Sequence, residues 1–78
     1  LYLITKFGKR KYSSVKYEFG DSLLFGSETL GLPNQLLERT PENLKLYIPM
    51  THKNRSINLS NAVSICVYEA WKQKQFKF

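Results

Sequence analysis

The amino-acid sequence predicts an α/β fold with a parallel sheet and one long C-terminal helix. Three observations lead to this prediction. Short apolar segments alternate with polar loops and helical segments, which is an α/β order. Leu23, Leu24 and Phe25 form a continuous apolar run closed by Gly26, as expected for a strand buried on both faces. The longest periodic segment lies near the C-terminus, at residues 58–75, and has helical spacing.

The remaining elements follow from local chemistry. Residues 1–5 have strand composition, and residues 45–48 form a strand that Pro49 ends. Thr40-Pro41-Glu42 resembles the start of a one-turn helix, with Thr40 as cap and Pro41 as first helical residue. The predicted order is therefore a strand at 1–5, a polar loop at 6–14, a strand at 22–25, a short helix at 33–38, a strand at 45–48 and a helix at 58–75. Three strands are few for a parallel sheet covered on both faces, so the chain is expected to be the C-terminal half of a domain.

The predicted C-terminal helix is apolar on more than one face. One stripe at helical spacing consists of Leu59, Val63, Cys66, Val67 and Ala70. The apolar surface is extended around the cylinder by Ala62, Ile65, Tyr68 and Trp71. We expect a core on one side of this helix and a second subunit on the other, with a single wide core face as the alternative.

The charge balance is strongly basic. Twelve Lys and Arg against six Asp and Glu give a formal net charge of +6. Such a balance favours a polyanionic partner, although a basic protein without such a partner has the same composition. The basic residues cluster near the N-terminus, around position 54 and at the C-terminus, which suits phosphate contacts.

Several classes of protein and site are disfavoured. A single cysteine, Cys66, cannot form an internal disulfide and fits a reducing compartment. With one histidine, His52, the chain lacks the ligands of a zinc site, so no metal is predicted. No apolar run approaches the ~20 residues that span a bilayer, and no signal-peptide pattern is present. A cytoplasmic protein without a membrane partner is the expectation.

The ends of the three predicted strands are the best candidate ligand site. In open α/β sheets, ligands bind beyond the carboxyl ends of strands. Those ends lie at Ile4-Thr5, Phe25-Gly26 and Ile48-Pro49. Gly26 permits a positive backbone angle or a close ligand approach, and Pro49 fixes the exit of its strand. The alternative is that Gly26 and Pro49 only form turns.

Two segments carry a family resemblance. Residues 25–33 read FGSETLGLP, and residues 48–71 read IPMTHKNRSINLSNAVSICVYEAW. Together they resemble motifs two and three of the SpoU-type (SPOUT-class) RNA 2′-O-methyltransferases, most closely those that methylate the wobble cytidine or uridine of tRNA. The resemblance implies an α/β-knot domain with a deep trefoil knot, a rare exception among folds. It also implies that residues 1–78 are a single partial domain, the C-terminal half that holds motifs two and three.

The resemblance implies a cofactor and its binding residues. Members of this family bind S-adenosylmethionine largely through backbone groups of three loops. The matching positions here are Ile4, Gly26, Ile48, Ser56 and Leu59. Arg55 is the candidate for positioning the substrate, because a guanidinium beside the cofactor can hold a phosphate bidentately. A solvent-exposed loop arginine is the alternative.

The resemblance also implies partners and an activity. The substrate is expected to be the ribose 2′-hydroxyl of tRNA, and the enzyme a homodimer through its C-terminal helix. The arginine associated with activating the hydroxyl belongs to motif one, in the N-terminal half. The 78-residue chain alone is therefore expected not to turn over. The alternative function is a small basic RNA-binding or dimerisation module without catalysis of its own.

Overall fold

Four parallel strands form the sheet of this protein. The computed structural model describes residues 1–27, 31–50 and 58–77. In chain order the elements are β1 (Tyr2–Ile4), β2 (Arg10–Lys11), a 3-10 turn (Tyr12–Ser14), β3 (Leu23–Phe25), α1 (Asn34–Arg39), a 3-10 turn (Glu42–Leu44), β4 (Lys45–Tyr47) and α2 (Leu59–Gln73). The predicted α/β class, with a parallel sheet and a long C-terminal helix, is confirmed.

The strand order places β1 in the interior of the sheet. The order is β2-β4-β1-β3, and every neighbouring pair is parallel. β1 pairs with β3 through Ile4 and Phe25, and with β4 through Ile4 and Leu46. The ends of β1, β3 and β4 therefore lie at neighbouring positions of one sheet edge.

The strand β2 corrects the prediction of a loop at 6–14. Arg10 pairs with Leu46, and Lys11 with Tyr47, at the edge of the sheet. Arg10 also donates from Nη1 to the carbonyl oxygen of Asn43 at 3.2 Å. A two-residue strand of basic residues has no apolar alternation, so the sequence pattern gives no sign of it.

The connection between β1 and β2 crosses β4. Since β4 lies between those two strands, residues 5–9 pass from one side of it to the other. At the crossing Gly8 lies against the backbone of Leu46 in β4. A Cβ at residue 8 would be 2.5 Å from the carbonyl carbon of Leu46. Only glycine allows this approach. The threading of a trefoil knot also depends on residues 51–57, which lie outside the described residues, so the knot stays a prediction.

The main core lies between the sheet and α2. It contains Ile4, Val15, Tyr17, Leu46 and Cys66, each at most 9% exposed. Fully burying such an aliphatic side chain contributes about 1.5–3 kcal/mol. The Tyr17 hydroxyl, which the core also encloses, donates to the carbonyl oxygen of Tyr12 at 2.6 Å, so no polar atom of this ring is left unsatisfied.

A buried lysine joins β4 to α1. Lys45 is only 8% exposed, yet its Nζ donates to the carbonyl oxygen of Leu37 at 2.8 Å and pairs with Glu42 at 2.7 Å. The ammonium thereby satisfies a carbonyl at the C-terminal end of a helix, where cations are favourable. The predicted one-turn helix begins one residue later than expected, because Pro41 is its N-cap.

The long helix, predicted at 58–75, spans Leu59–Gln73 and so begins one residue later and ends two residues earlier than predicted. The side chain of Asn58 caps α2 by accepting a hydrogen bond from the Ser60 N–H at 2.8 Å. Ala62 and Cys66 are buried, whereas Val67, predicted on the core stripe, is 49% exposed. Val67 therefore does not pack in the core of this chain, and one face of α2 is left exposed in it. No helix in the described ranges is long and apolar enough to cross a membrane.

Candidate functional site

The carboxyl edge of the sheet brings three chain segments together. Ile4 lies beside Phe25 on one side and Leu46 on the other, so Thr5, Gly26 and Tyr47 follow at the same edge. The Thr5 N–H donates to the carbonyl oxygen of Leu46 at 2.9 Å, which fixes the first segment to β4. The predicted convergence of the three strand ends is confirmed.

Gly26 is required by the path of its own loop. A Cβ at this position would lie 2.4 Å from the carbonyl carbon of Gly31 and 2.6 Å from the N of Leu32. The φ of Gly26 is not positive. In this loop the residue with a positive φ is Gly31, at +66°. The loop returns on itself through a bridge between Ser27 and Gly31, whose N–H donates to the Ser27 carbonyl at 3.1 Å. Close backbone approach, rather than a left-handed angle, therefore excludes a side chain at Gly26.

The exit of β4 provides an apolar wall beside the same edge. Ile48 is half-buried and packs against the core cluster. Pro49 and Met50 are exposed, and 38% of the Met50 residue surface is accessible. Small-molecule sites are lined mainly by apolar side chains with a few polar groups, and Ile48 and Met50 offer apolar surface of this kind.

The described ranges include only part of the predicted site. Ile4, Gly26 and Ile48 lie at or beside the carboxyl edge, and Leu59 is the half-buried first residue of α2. Arg55 and Ser56, predicted to position substrate and to bind cofactor, lie outside the described residues.

Among the described residues, the groups whose pKa is raised by burial lie in the core rather than at this edge. Burial raises the pKa of the Cys66 thiol to about 11, and burial, followed by the nearby Cys66 and Glu69, raises the pKa of Tyr17. Both groups stay protonated at neutral pH, so neither supplies a base. Within the described ranges, no group of three or more His, Cys, Asp or Glu residues could hold a metal ion.

Comparison with known proteins decides the family. Residues 1–68 match the family model described as the SpoU rRNA Methylase family. The chain belongs to the SpoU methylase family. A tRNA (cytidine(34)-2′-O)-methyltransferase of Escherichia coli K12 is 51% identical over 73 residues, which are 94% of this chain and 46% of that protein.

Two solved structures of related chains share the fold. A crystal structure of a candidate RNA methyltransferase from Bacillus anthracis superimposes with a TM-score of 0.85 at 38% identity, over 95% of this chain and 48% of that one. A structure from work on 2-OH methylation of C/U34 on tRNA gives a TM-score of 0.83 at 36% identity, over 97% of this chain and 49% of that one. The chain thus spans about half the length of the relatives it matches.

Two features near the carboxyl edge of the sheet were not predicted from sequence. One is the crossing at Gly8, and the other is the exposed ring of Phe7 beside it. The Gly8-Lys9-Arg10-Lys11 segment is polar throughout, so periodicity gives no indication of a crossing. The available sequence signal for the crossing was a glycine directly after an aromatic residue, Phe7-Gly8, in a polar segment.

Proposed function

We propose that the protein carrying this chain is an S-adenosylmethionine-dependent tRNA (ribose-2′-O)-methyltransferase that modifies the wobble nucleotide. Residues 1–78 would be a single partial domain, the C-terminal half of its methyltransferase domain. The supporting observation is the juxtaposition of the ends of β1, β3 and β4 in a SpoU family chain. Because the proposed substrate is tRNA, the protein is proposed to act in the cytoplasm.

The cofactor would lie at the carboxyl edge of the sheet. Ile4, Gly26, Ile48, Ser56 and Leu59 are the residues proposed to hold it. Among the described residues of this set, Ile48 provides apolar surface for a nucleoside-like group. Gly26 has no side chain and lies against the backbone of Gly31 and Leu32, so backbone groups line the loop there. When bound, S-adenosylmethionine supplies an activated methyl group.

The contribution of this half of the domain would be alignment. Transfer to a ribose hydroxyl requires oxygen, methyl carbon and sulfur in line, and positioning alone contributes a large part of such rate enhancements. Arg55 is proposed to fix a neighbouring phosphate and so to orient the ribose. The hydroxyl proton must also be accepted as the new bond forms. Tyr17 and Cys66 are buried and protonated, so neither is proposed to accept it. The arginine that the family resemblance associates with activating the hydroxyl belongs to motif one, so we expect no turnover from residues 1–78 alone.

Cofactor binding tests the proposal directly. We expect the full-length protein to bind S-adenosylhomocysteine saturably in isothermal titration calorimetry. Gly26→Ala should abolish this binding because its Cβ would collide with the backbone of Gly31 and Leu32. Gly31→Ala is the matched control, because a Cβ there meets nothing within 4 Å and costs only the strain of its +66° φ, about 1 kcal/mol.

Methyl transfer to tRNA transcripts tests the substrate. Incorporation of labelled methyl groups should require a ribose 2′-hydroxyl at position 34, and a 2′-deoxy nucleotide there should abolish it. The competing function is a basic RNA-binding or dimerisation module. RNA binding by the full-length protein without S-adenosylhomocysteine binding would favour that module and contradict the methyltransferase.

A further inference from the structure

A groove lies beside the crossing of β4, and the proposed cofactor site does not account for it. Its volume is about 450 Å³, and its lining residues are Phe7, Asn34, Leu37, Glu38, Glu42 and Lys45. We call it the crossover groove. Phe7 comes two residues after Thr5, which belongs to the carboxyl edge of the sheet. The groove therefore begins next to the proposed site of methyl transfer.

Phe7 presents its ring to solvent from a fixed turn. The residue is 63% exposed. Its N–H donates to Oγ1 of Thr5 at 3.2 Å, and the following Gly8 N–H donates to the Thr5 carbonyl at 3.1 Å. Gly8 in turn lies against the Leu46 backbone, so the turn is held on both sides of the ring. The backbone that carries the ring is therefore fixed, and an exposed aromatic ring on such a turn is a stacking surface for a planar ligand.

Basic residues occur on the same segment of chain as this ring. Lys6 Nζ lies 5.3 Å from the centre of the Phe7 ring. Lys9 is close enough to Glu42 to contribute to the lowered pKa of that carboxyl, after the larger effect of the Lys45 hydrogen bond. In the described part of the chain, Lys6, Lys9 and Lys11 make no ion pair, and all three are exposed. Their charges are available for phosphates.

The groove also contains groups that can contact the edge of a base. Asn34 and Glu38 are exposed, and neither side chain makes a hydrogen bond within the described ranges. Asn34 can donate and accept, and Glu38 can accept from an exocyclic amino group. Glu42 is already engaged by Lys45 at 2.7 Å.

From these features we infer that the crossover groove holds an unpaired nucleobase of the RNA substrate, next to the nucleotide that is methylated. Phe7 stacks on the base, Asn34 and Glu38 contact its edge, and Lys6, Lys9 and Lys11 neutralise the adjoining phosphates. Proteins usually bind single strands by stacking bases on aromatic side chains and contacting the phosphates with basic residues. Here the basic residues lie on the segment that carries Phe7, beside the groove rather than in its lining. This inference deepens the proposed function, since it assigns contacts for the same RNA substrate.

Phe7→Ala in the full-length protein tests the stacking contact. The probe is an RNA hairpin with an anticodon-type loop that carries 2-aminopurine at successive loop positions. We expect the variant to bind this hairpin about 5- to 150-fold more weakly, the range that loss of one base–aromatic stack produces. The 2-aminopurine at one loop position should be quenched by the wild-type protein and not by the variant. Phe7→Trp should retain both binding and quenching.

Phe19 offers a matched control. It is 70% exposed, and Lys74 Nζ lies 5.2 Å from its ring centre, so its surroundings resemble those of Phe7. It precedes β3, however, and thus lies towards the opposite edge of the sheet. Phe19→Ala should leave hairpin binding unchanged. Wild-type affinity in Phe7→Ala, or an equal loss in Phe19→Ala, would overturn the inference.

Cofactor binding separates this inference from the proposed function. Phe7→Ala should bind S-adenosylhomocysteine as the wild type does, because Phe7 is not among the residues proposed to hold the cofactor and its side chain is largely exposed. If the wild type binds the hairpin through Phe7 but binds no S-adenosylhomocysteine, the groove assignment stands and the methyltransferase proposal falls. If S-adenosylhomocysteine binds and Phe7→Ala has wild-type hairpin affinity, the methyltransferase proposal stands and the groove assignment falls.

Discussion

The backbone N–H of Tyr17 donates to Oε1 of Gln73, 2.9 Å away and 56 positions later in the chain. The Nε2 of the same amide donates to the carbonyl oxygen of Val15 at 2.8 Å and to Oε2 of Glu69 at 2.9 Å. One side chain thus provides the donor and the acceptor that a neighbouring strand would give to residues 15–17. Since Val15 and Tyr17 are 3% and 2% exposed, these backbone groups have little access to water. Gln73 therefore fastens the C-terminal part of α2 to the core.

Gln73→Ala should destabilise the protein strongly. It removes the acceptor of the Tyr17 N–H and the donor to the Val15 carbonyl. Each buried backbone group left without a partner costs about 1–3 kcal/mol. We expect the free energy of unfolding in urea to fall by at least about 2 kcal/mol. Gln35→Ala, at an exposed position of α1, is the control and should change stability by less than about 0.5 kcal/mol. Equal effects of the two substitutions would contradict the role assigned to Gln73.

Gln75→Gly should stabilise the protein. The end of α2 is a Schellman motif, in which Phe76 N–H donates to the Trp71 carbonyl and Gln75 N–H to that of Lys72, both at 2.9 Å. The Phe76 and Trp71 rings meet at 5.1 Å, the hydrophobic contact that accompanies this motif. Gln75, however, has a φ of +57°, a conformation that glycine adopts without strain.

Relief of that strain should raise the free energy of unfolding by about 0.5–1 kcal/mol. Calorimetric melting of the full-length protein would measure it. The same substitution at Gln35, within α1, should lower stability by about 0.5–1 kcal/mol, because glycine is unfavourable inside a helix. A decrease at both positions would show that the left-handed conformation at residue 75 carries no strain.

Stability should decline at alkaline pH because of Cys66. Burial raises the pKa of its thiol from 9.0 to about 11. Between these values the unfolded chain has lost the proton and the folded chain has kept it. Rising pH therefore favours unfolding, and the contribution of Cys66 is complete below pH 9.0. Tyr17, whose pKa is raised from 10.0 mainly by burial, adds to the decline only above pH 10.

Urea unfolding at several pH values from neutral to alkaline would show this dependence. Cys66→Ala should have a lower stability at neutral pH, owing to lost packing, but a flatter decline between pH 9.0 and about 11. Tyr17→Phe should keep the part of the decline that begins at pH 9.0. An unchanged slope in Cys66→Ala would mean that another group controls the alkaline transition.

The elements with a regular apolar pattern could be predicted from sequence. Apolar runs identify the strands that contain Ile4, Phe25 and Leu46, and their parallel pairing then places Gly26 beside Thr5. Asn58 marks the start of α2 because a side-chain cap has a local signature. The carboxyl edge of the sheet therefore follows from local chemistry together with one rule for α/β folds.

Features created by tertiary contact could not be predicted in this way. β2 is a strand because Leu46 and Tyr47 offer free edge groups, and nothing in Arg10-Lys11 itself favours pairing. Lys45 is buried because a carbonyl of α1 and Glu42 satisfy its ammonium, a compensation that no sequence period reports. Val67 was assigned to the core because it continues a stripe of apolar residues, but helix rotation is fixed by packing around Cys66.

The exposed face of α2 leads to a prediction about assembly. Val67 and Tyr68 are 49% and 59% exposed, and the Tyr68 ring lies 5.6 Å from that of Trp71. Aromatic residues grouped on an exposed helix face are typical of the centre of a protein interface. We expect this face to bind a second copy of the same protein. Sedimentation velocity of the full-length protein should then show a dimer that dissociates on dilution.

Tyr68→Glu should convert the dimer to a monomer, because it places a charge at the centre of an apolar contact, where a buried unpaired charge costs several kcal/mol. Glutamate has a higher helix propensity than tyrosine, so a loss of association would not reflect loss of the helix. Phe19→Glu is the control, since Phe19 is 70% exposed but lies outside α2. It should leave the dimer intact. A monomeric wild type would show that no second copy binds, and dimers of equal strength in both variants would place the second copy on another face.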